Sequence, residues 1–184
     1  MQVGDGANDG ELLANATNNG TLIFNQTGDY DYTGALSGNG GLIKQGAGTL
    51  LLSGDYSYTG STIVENGFVR LTSLLDDQTD LVVDGGTFDL GGLDQTVAGL
   101  SGSSGTLALG DGTLTVVQSE NSVFGGSLTG TGGFVKSGAG SLNFTHEGSF
   151  TGSMVIDDGK VSVQQKLLAA VVVNDSGSLG GVGT

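Results

Sequence analysis

The chain has 184 residues, 37 of them glycine, with no proline, cysteine or tryptophan and a formal charge of −14 against only five basic residues. That balance excludes disulfide and thiol chemistry. It also argues against nucleic acid, whose phosphates need clustered Lys and Arg, and against an anionic membrane surface. Glycine without a strict three-residue period excludes collagen; high glycine and acidity favour disorder, but the many short Val/Leu/Ile/Phe runs read as strands.

In chain order, Met1-Gln2-Val3-Gly4-Asp5 lacks the basic start and apolar core of a signal peptide. Short apolar runs follow at intervals of roughly eight residues and read as strands, among them Thr21-Leu22-Ile23-Phe24, Thr49-Leu50-Leu51-Leu52, Leu81-Val82-Val83, Thr106-Leu107-Ala108-Leu109 and Thr113-Leu114-Thr115-Val116. Asn19-Gly20, Asn66-Gly67, Asp84-Gly85, Asp111-Gly112 and Asp158-Gly159 stand between such runs as turn pairs that tolerate positive φ. Helical spacing is absent almost everywhere; only residues 164–170 have a spacing compatible with a helical turn or two. The longest apolar run, residues 167–173, is far too short to span a bilayer. Gly181-Val182-Gly183-Thr184 offers no natural stop, so an excised fragment with an added methionine is expected.

The chain also contains itself. Residues 32–71 lie over residues 124–163 at a constant offset of 92 without a gap, and 16 of the 40 positions are identical. A repeat that accepts substitution but no insertion belongs to a periodic scaffold whose units bury their apolar faces against one another. Comparing Thr49-Leu50-Leu51-Leu52 with Ser141-Leu142-Asn143-Phe144, and Phe68-Val69-Arg70-Leu71 with Lys160-Val161-Ser162-Val163, the second and fourth positions stay apolar. Side chains alternate across a strand, so Leu50, Leu52, Val69, Leu71 and their counterparts are expected to point inward. An antiparallel sandwich and a parallel β-helix both fit short strands with one buried face. A sandwich gives no reason for a gap-free recurrence, whereas three strands per coil and about 23 residues per coil make the offset about four coils. The expected fold is all-β, a parallel β-helix (solenoid), with residues 1–184 as a single β-helix fragment of a larger protein.

The stretch from Gly38-Asn39-Gly40-Gly41-Leu42-Ile43-Lys44-Gln45-Gly46-Ala47-Gly48-Thr49-Leu50 through Tyr58-Thr59-Gly60-Ser61-Thr62-Ile63-Val64-Glu65-Asn66-Gly67 resembles the passenger-associated repeat of bacterial autotransporters. Residues 130–159 match again, with Thr145-His146 in place of the usual Ser-Gly. The resemblance implies a right-handed parallel β-helix in the C-terminal part of a secreted passenger (type V secretion), exposed outside the cell or at its surface after crossing the outer membrane. It also implies a stalk or autochaperone-like role in folding, secretion and display. The partners it implies are the rest of the same passenger and its outer-membrane barrel. An adhesive or self-associating surface, touching a host surface or another copy, is the alternative.

No catalytic, cofactor-binding or metal-binding residue is expected, no cofactor, and no enzyme activity in this segment. His146 is the sole histidine and reads as an exposed turn residue, with no HExxH or Gly-x-Ser-x-Gly pattern around it. Lys44 and Lys136 recur within glycine-rich stretches that lack the Gly-Lys-Ser/Thr ending of a phosphate loop, and each is expected to bond turn carbonyls or a nearby carboxylate. Asp76-Asp77 with Asp80, Asp157-Asp158, and Asp5 with Asp9 would suit calcium, but no calcium-binding spacing is present and turn roles are expected. Arg70, the sole arginine, becomes Ser162 in the second copy, which disfavours polysaccharide cleavage. Tyr30, Tyr32, Tyr56 and Tyr58 cluster near the first copy, while Phe124, Gly148 and Phe150 replace the last three in the second. Stacking on the coil is therefore expected, with the hydroxyls dispensable.

Overall fold

Turns made of Asn, Asp and Gly bend this chain without reversing it, so each strand meets the strand one circuit later instead of its sequence neighbour. The computed structural model describes residues 1–146 and 148–181. Glu147, inside the second copy of the repeat, and Val182, Gly183 and Thr184 lie outside the described residues. Every strand pairing among the described residues is parallel, and the architecture is the expected β-solenoid.

Three faces make the wall. The first carries Gln2–Val3, Thr21–Phe24, Gly41–Lys44, Thr62–Val64, Ser122–Phe124 and Ser141–Phe144. The second carries Tyr30–Tyr32, Thr49–Leu52, Phe68–Leu71 and Ser127–Thr129. The third carries Ala16–Thr17, Leu36–Gly38, Tyr56–Tyr58, Gln95–Val97, Thr113–Val117 and Gly133–Ser137. Longer strands run over a corner and serve two faces: Asp80–Asp89 and Gly99–Ala108 the first and second, Ser153–Val163 and Ala170–Gly181 the third and first.

Ladder partners on the first face lead from Val3 through Phe24, Lys44 and Val64, on by Val82 and Ser101, then from Gly102 to Phe124, Phe144, Val163 and Gly181. That is about nine turns. Partners lie 17 to 22 residues apart, most of them 19 or 20. The coil is therefore shorter than the 23 residues expected from the sequence, and the repeat offset is not four coils. Leu42 follows its ladder through Thr62, Leu81 and Leu100 to the level of Ser122 in four turns, on the first face. Its counterpart Phe134 lies two faces further on, in Gly133–Ser137 of the third face. The second copy repeats the first after four and two-thirds turns, rotated about the axis. Its internal pairing is kept: Leu42↔Thr62 and Leu50↔Val69 become Phe134↔Met154 and Leu142↔Val161. Three faces of nearly equal length permit this, because a strand–corner unit fits any of them.

The inward rows are those the alternation predicts. Leu50, Leu52, Val69, Leu71, Leu142 and Val161 have no exposed surface. Val163 is half-buried, because only the last strand, Ala170–Gly181, covers it. Each enclosed Leu or Phe contributes about 1.5–3 kcal/mol relative to exposure, and each ladder bond about 0.5–1.5 kcal/mol net. Residues 164–170 form no helix: they cross the place of the second face as a bend, with Leu167 and Ala169 resting on the core. Tertiary stacking overrides the local helical spacing there.

Candidate functional site

The most distinctive chemistry in the wall is a pair of enclosed lysines. Lys44 is 1% exposed and Lys136 0%, each on the inward side of its strand. The strand ends at a corner whose glycine has positive φ, Gly46 at 50° and Gly138 at 77°, so the carbonyls before the bend turn inward. Lys44 Nζ donates to the carbonyls of Gln45 and Gly46, the latter at 2.7 Å. Lys136 Nζ donates to Ser137 O at 2.7 Å and Gly138 O at 2.6 Å. The expectation that these lysines bond turn carbonyls holds, and the bonds are the same on two different faces.

Burial pushes the Lys44 ammonium down to about 8, against a smaller opposing pull from Asp9. Burial also lowers Lys136, opposed by Asp158. Enclosed Tyr56 is pushed up to about 12 by burial, and Tyr58 is raised further by the same cause. Between pH 8 and 10.5 the folded chain sheds the Lys44 proton while the unfolded chain keeps it, so stability rises with pH. Above pH 10 the unfolded tyrosines ionise while the folded ones resist, so stability falls again. We expect the urea midpoint to climb from pH 7 to a maximum near pH 10, with a contribution from Lys44 on the order of 2 kcal/mol. Lys44→Met should flatten much of that climb; an identical climb in the variant would refute the role of Lys44.

The glutamines Gln26, Gln95 and Gln118, all at most 4% exposed, went unnoticed in the sequence. Among the described residues the third face has no strand between Tyr56–Tyr58 and Gln95–Val97, and the Gln95 side chain bonds the backbone there instead. Its Oε1 accepts from Leu75 N at 2.8 Å, and its Nε2 donates to Leu75 O at 3.2 Å. A carboxamide is a peptide group without the chain, so it substitutes for one. Gln118 does likewise, its Oε1 accepting from Leu100 N at 3.3 Å and its Nε2 donating to Ser141 O at 2.9 Å. Gln26 and Gln118 stand 92 residues apart, so extending the repeat alignment backwards would have found them.

The acids act similarly at the corners. Asp29 and Asp94 accept from the backbone N–H of Thr49 and Thr113 one coil later, and Asn121, the counterpart of Asp29, accepts from Ser141 N. Asp84 accepts from Ser103 N, and Asp9 from Thr27 N and Gly28 N. The backbone bond from Thr49 holds Asp29 below the ordinary carboxylate range, and bonds from Asn8 and Ala7 do the same for Asp5. Asp76 closes its own turn on Gln78 N, Asp158 accepts from Gly159 N, and Asp157 from Asn174. Among the described residues no three carboxylates or imidazoles come together as a metal would need. Asp5 and Asp76 thus hold turns, while Asp80 and Asp157 stand within strands.

His146 is exposed beside Thr145, and Arg70 makes a solvent-facing pair with Asp89 at 3.6 Å. The tyrosines correct one expectation. They do stack inside the coil, with centroids of Phe24 and Tyr32 5.6 Å apart and of Tyr32 and Tyr56 6.1 Å apart. Their hydroxyls are nevertheless employed: Tyr30 bonds both backbone groups of Leu12, and Tyr32 donates to Ala14 O and Ala35 O. Tyr56 joins Gly54 N to Tyr32 O, and Tyr58 pairs with Thr62. The first coil lacks a second-face strand among the described residues, and the hydroxyls of Tyr30 and Tyr32 tie that segment down.

A family profile described as Passenger-associated-transport-repeat matches residues 42–71 and 134–163. The chain is 36% identical over 176 residues to the protein described as Adhesin BmaC autotransporter of Brucella suis biovar 1 (strain 1330). The match covers 85% of this chain and 5% of that relative, so the chain spans a small part of the length of the protein it matches. No solved structure matches it.

Proposed function

We propose that this chain, which belongs with the passenger regions of autotransporters that are carried across the outer membrane to the cell surface, acts there as a non-catalytic stalk that templates its own folding and displays what lies beyond it. The observation behind this reading is the parallel ladder along the first face, in which coil after coil from Val3 to Gly181 pairs with the one before it. An open parallel edge presents unpaired N–H and C=O groups in register, so each finished coil is a mould for the next. Stacking outside the membrane then disfavours retreat of the chain. The partners in this reading are the rest of the passenger and the outer-membrane barrel to which it is joined. Deleting residues 42–163 from the full-length protein should slow the appearance of protease-resistant passenger at the cell surface while the barrel still inserts. Unchanged timing would overturn the proposal.

A second reading, adhesion, is supported by a stripe on the outer wall. Ile23, Ile43, Ile63 and Val82 are successive ladder partners pointing outward, an aliphatic row along the axis, and the relative's name describes an adhesin. Binding of the purified chain to host cells, weakened by Ile43→Asp without loss of folding, would favour this reading over the first.

A further inference from the structure

Three Asn-Gly pairs occur in the chain, at Asn19-Gly20, Asn39-Gly40 and Asn66-Gly67, and the fold treats them differently. The amide of Gly20 donates to Asn18 Oδ1 at 3.2 Å and that of Gly40 to Asn18 O at 2.8 Å. Both are turned towards a residue other than the preceding asparagine. Gly67 N instead donates to Oδ1 of Asn66 itself at 2.8 Å, holding the nitrogen against the side-chain amide that precedes it. Asn66 is exposed, and Gly67 has φ +67°, so the bend that brings the two together is part of the corner. The second copy repeats the contact with an acid: Gly159 N donates to Asp158 Oδ1 at 2.7 Å, at φ +71°.

We propose that Asn66 is a site of spontaneous deamidation in the folded chain, with the Gly67 amide nitrogen as nucleophile. The nitrogen gives up its proton to solvent base and bonds to Asn66 Cγ. The Cγ–Nδ2 bond breaks as that nitrogen takes a proton back from solvent and leaves as ammonia, which completes a five-membered succinimide between the two residues. Water then opens the ring at Cγ to give Asp, or at the main-chain carbonyl to give isoaspartate. The Asp product has a precedent in the chain, since Asp158 occupies the equivalent corner and is one of the charges felt by Lys136. Isoaspartate does not fit. It adds a methylene to the main chain at a corner where even the position of a Gly67 Cβ lies 2.5 Å from Gly46 O and Gly48 O. Deamidation therefore sorts molecules into a form resembling the second copy and a form whose strand Phe68–Leu71 is pulled out of register with Thr49–Leu52.

Peptide mass mapping after incubation of the folded chain at mildly alkaline pH and 37 °C tests this. The expected result is conversion at Asn66 about tenfold ahead of Asn19 and Asn39, because held reactants react faster than free ones. In urea the three should convert at similar rates. Asn66→Asp should remain folded and show no further gain in mass at that peptide, because it has no side-chain amide to lose. Conversion at Asn66 no faster than at Asn19 or Asn39 in the folded chain would overturn the proposal, as would a lead for Asn66 that persists unchanged in urea.

Discussion

Leu142→Asp is expected to abolish cooperative folding of the chain. Leu142 has no exposed surface, and its ladder neighbours are Ser122 one turn before and Val161 one turn after. Among the enclosed residues of the repeat the lysines keep a charge inside, and each is bonded to two carbonyls at a corner. Mid-strand, a carboxylate at 142 would have no such partners. The loss of the leucine alone costs about 2–5 kcal/mol, and an unpaired enclosed carboxylate adds several more. Total stability for a chain of this kind is about 5–15 kcal/mol. Thermal unfolding followed by circular dichroism should show a broad or absent transition; a sharp one at the original temperature would show that Leu142 does not face the core. Leu142→Met, which conserves volume, should cost less than about 1.5 kcal/mol.

Gly132→Val should be the next most damaging change, for a different reason. Consecutive coils press together at their corners. A Cβ at Gly132 would sit 1.9 Å from Gly112 O, and one at Gly152 would sit 1.8 Å from Gly132 O. These are backbone atoms that cannot swing aside, so the corner must open and the strands Thr113–Val117 and Gly133–Ser137 must part. We expect a loss of about 3 kcal/mol, with faster hydrogen exchange concentrated on the third face. A control at Gly20, where nothing lies within 4 Å of a Cβ, should be nearly neutral as Gly20→Ala. Equal losses at both sites would sink the corner-contact account.

The inward row was legible in the sequence because substitution between the two copies acts as a filter. Leu51 changes to Asn143 and Arg70 to Ser162, while Leu50, Leu142, Val69 and Val161 stay apolar. The role of Lys44 and Lys136 was legible for the same reason. The coil length was not. A gap-free offset counts residues between equivalent strand–corner units and says nothing about which face the second unit lands on. With three interchangeable faces, 92 residues read as a whole number of turns when they are not. The ladder-bridging glutamines were hidden because a Gln in a polar stretch has no pattern of its own; only the missing strand beside Leu75 reveals what Gln95 is for. The tyrosine hydroxyls escaped the comparison because the second copy, which lacks them, follows coils whose strands are already paired, whereas Tyr30 and Tyr32 secure the strandless segment at Leu12 and Ala14.

That the two lysine-anchored blocks sit at different azimuths bears on how such a molecule can lengthen in evolution. Gene duplication need not respect the pitch of the scaffold: a segment ending on any side can be spliced where the chain next turns a corner, and the fibre closes around it. Three tandem insertions of the same block would return to the starting azimuth, distributing any feature carried on the outer wall to three directions around the shaft.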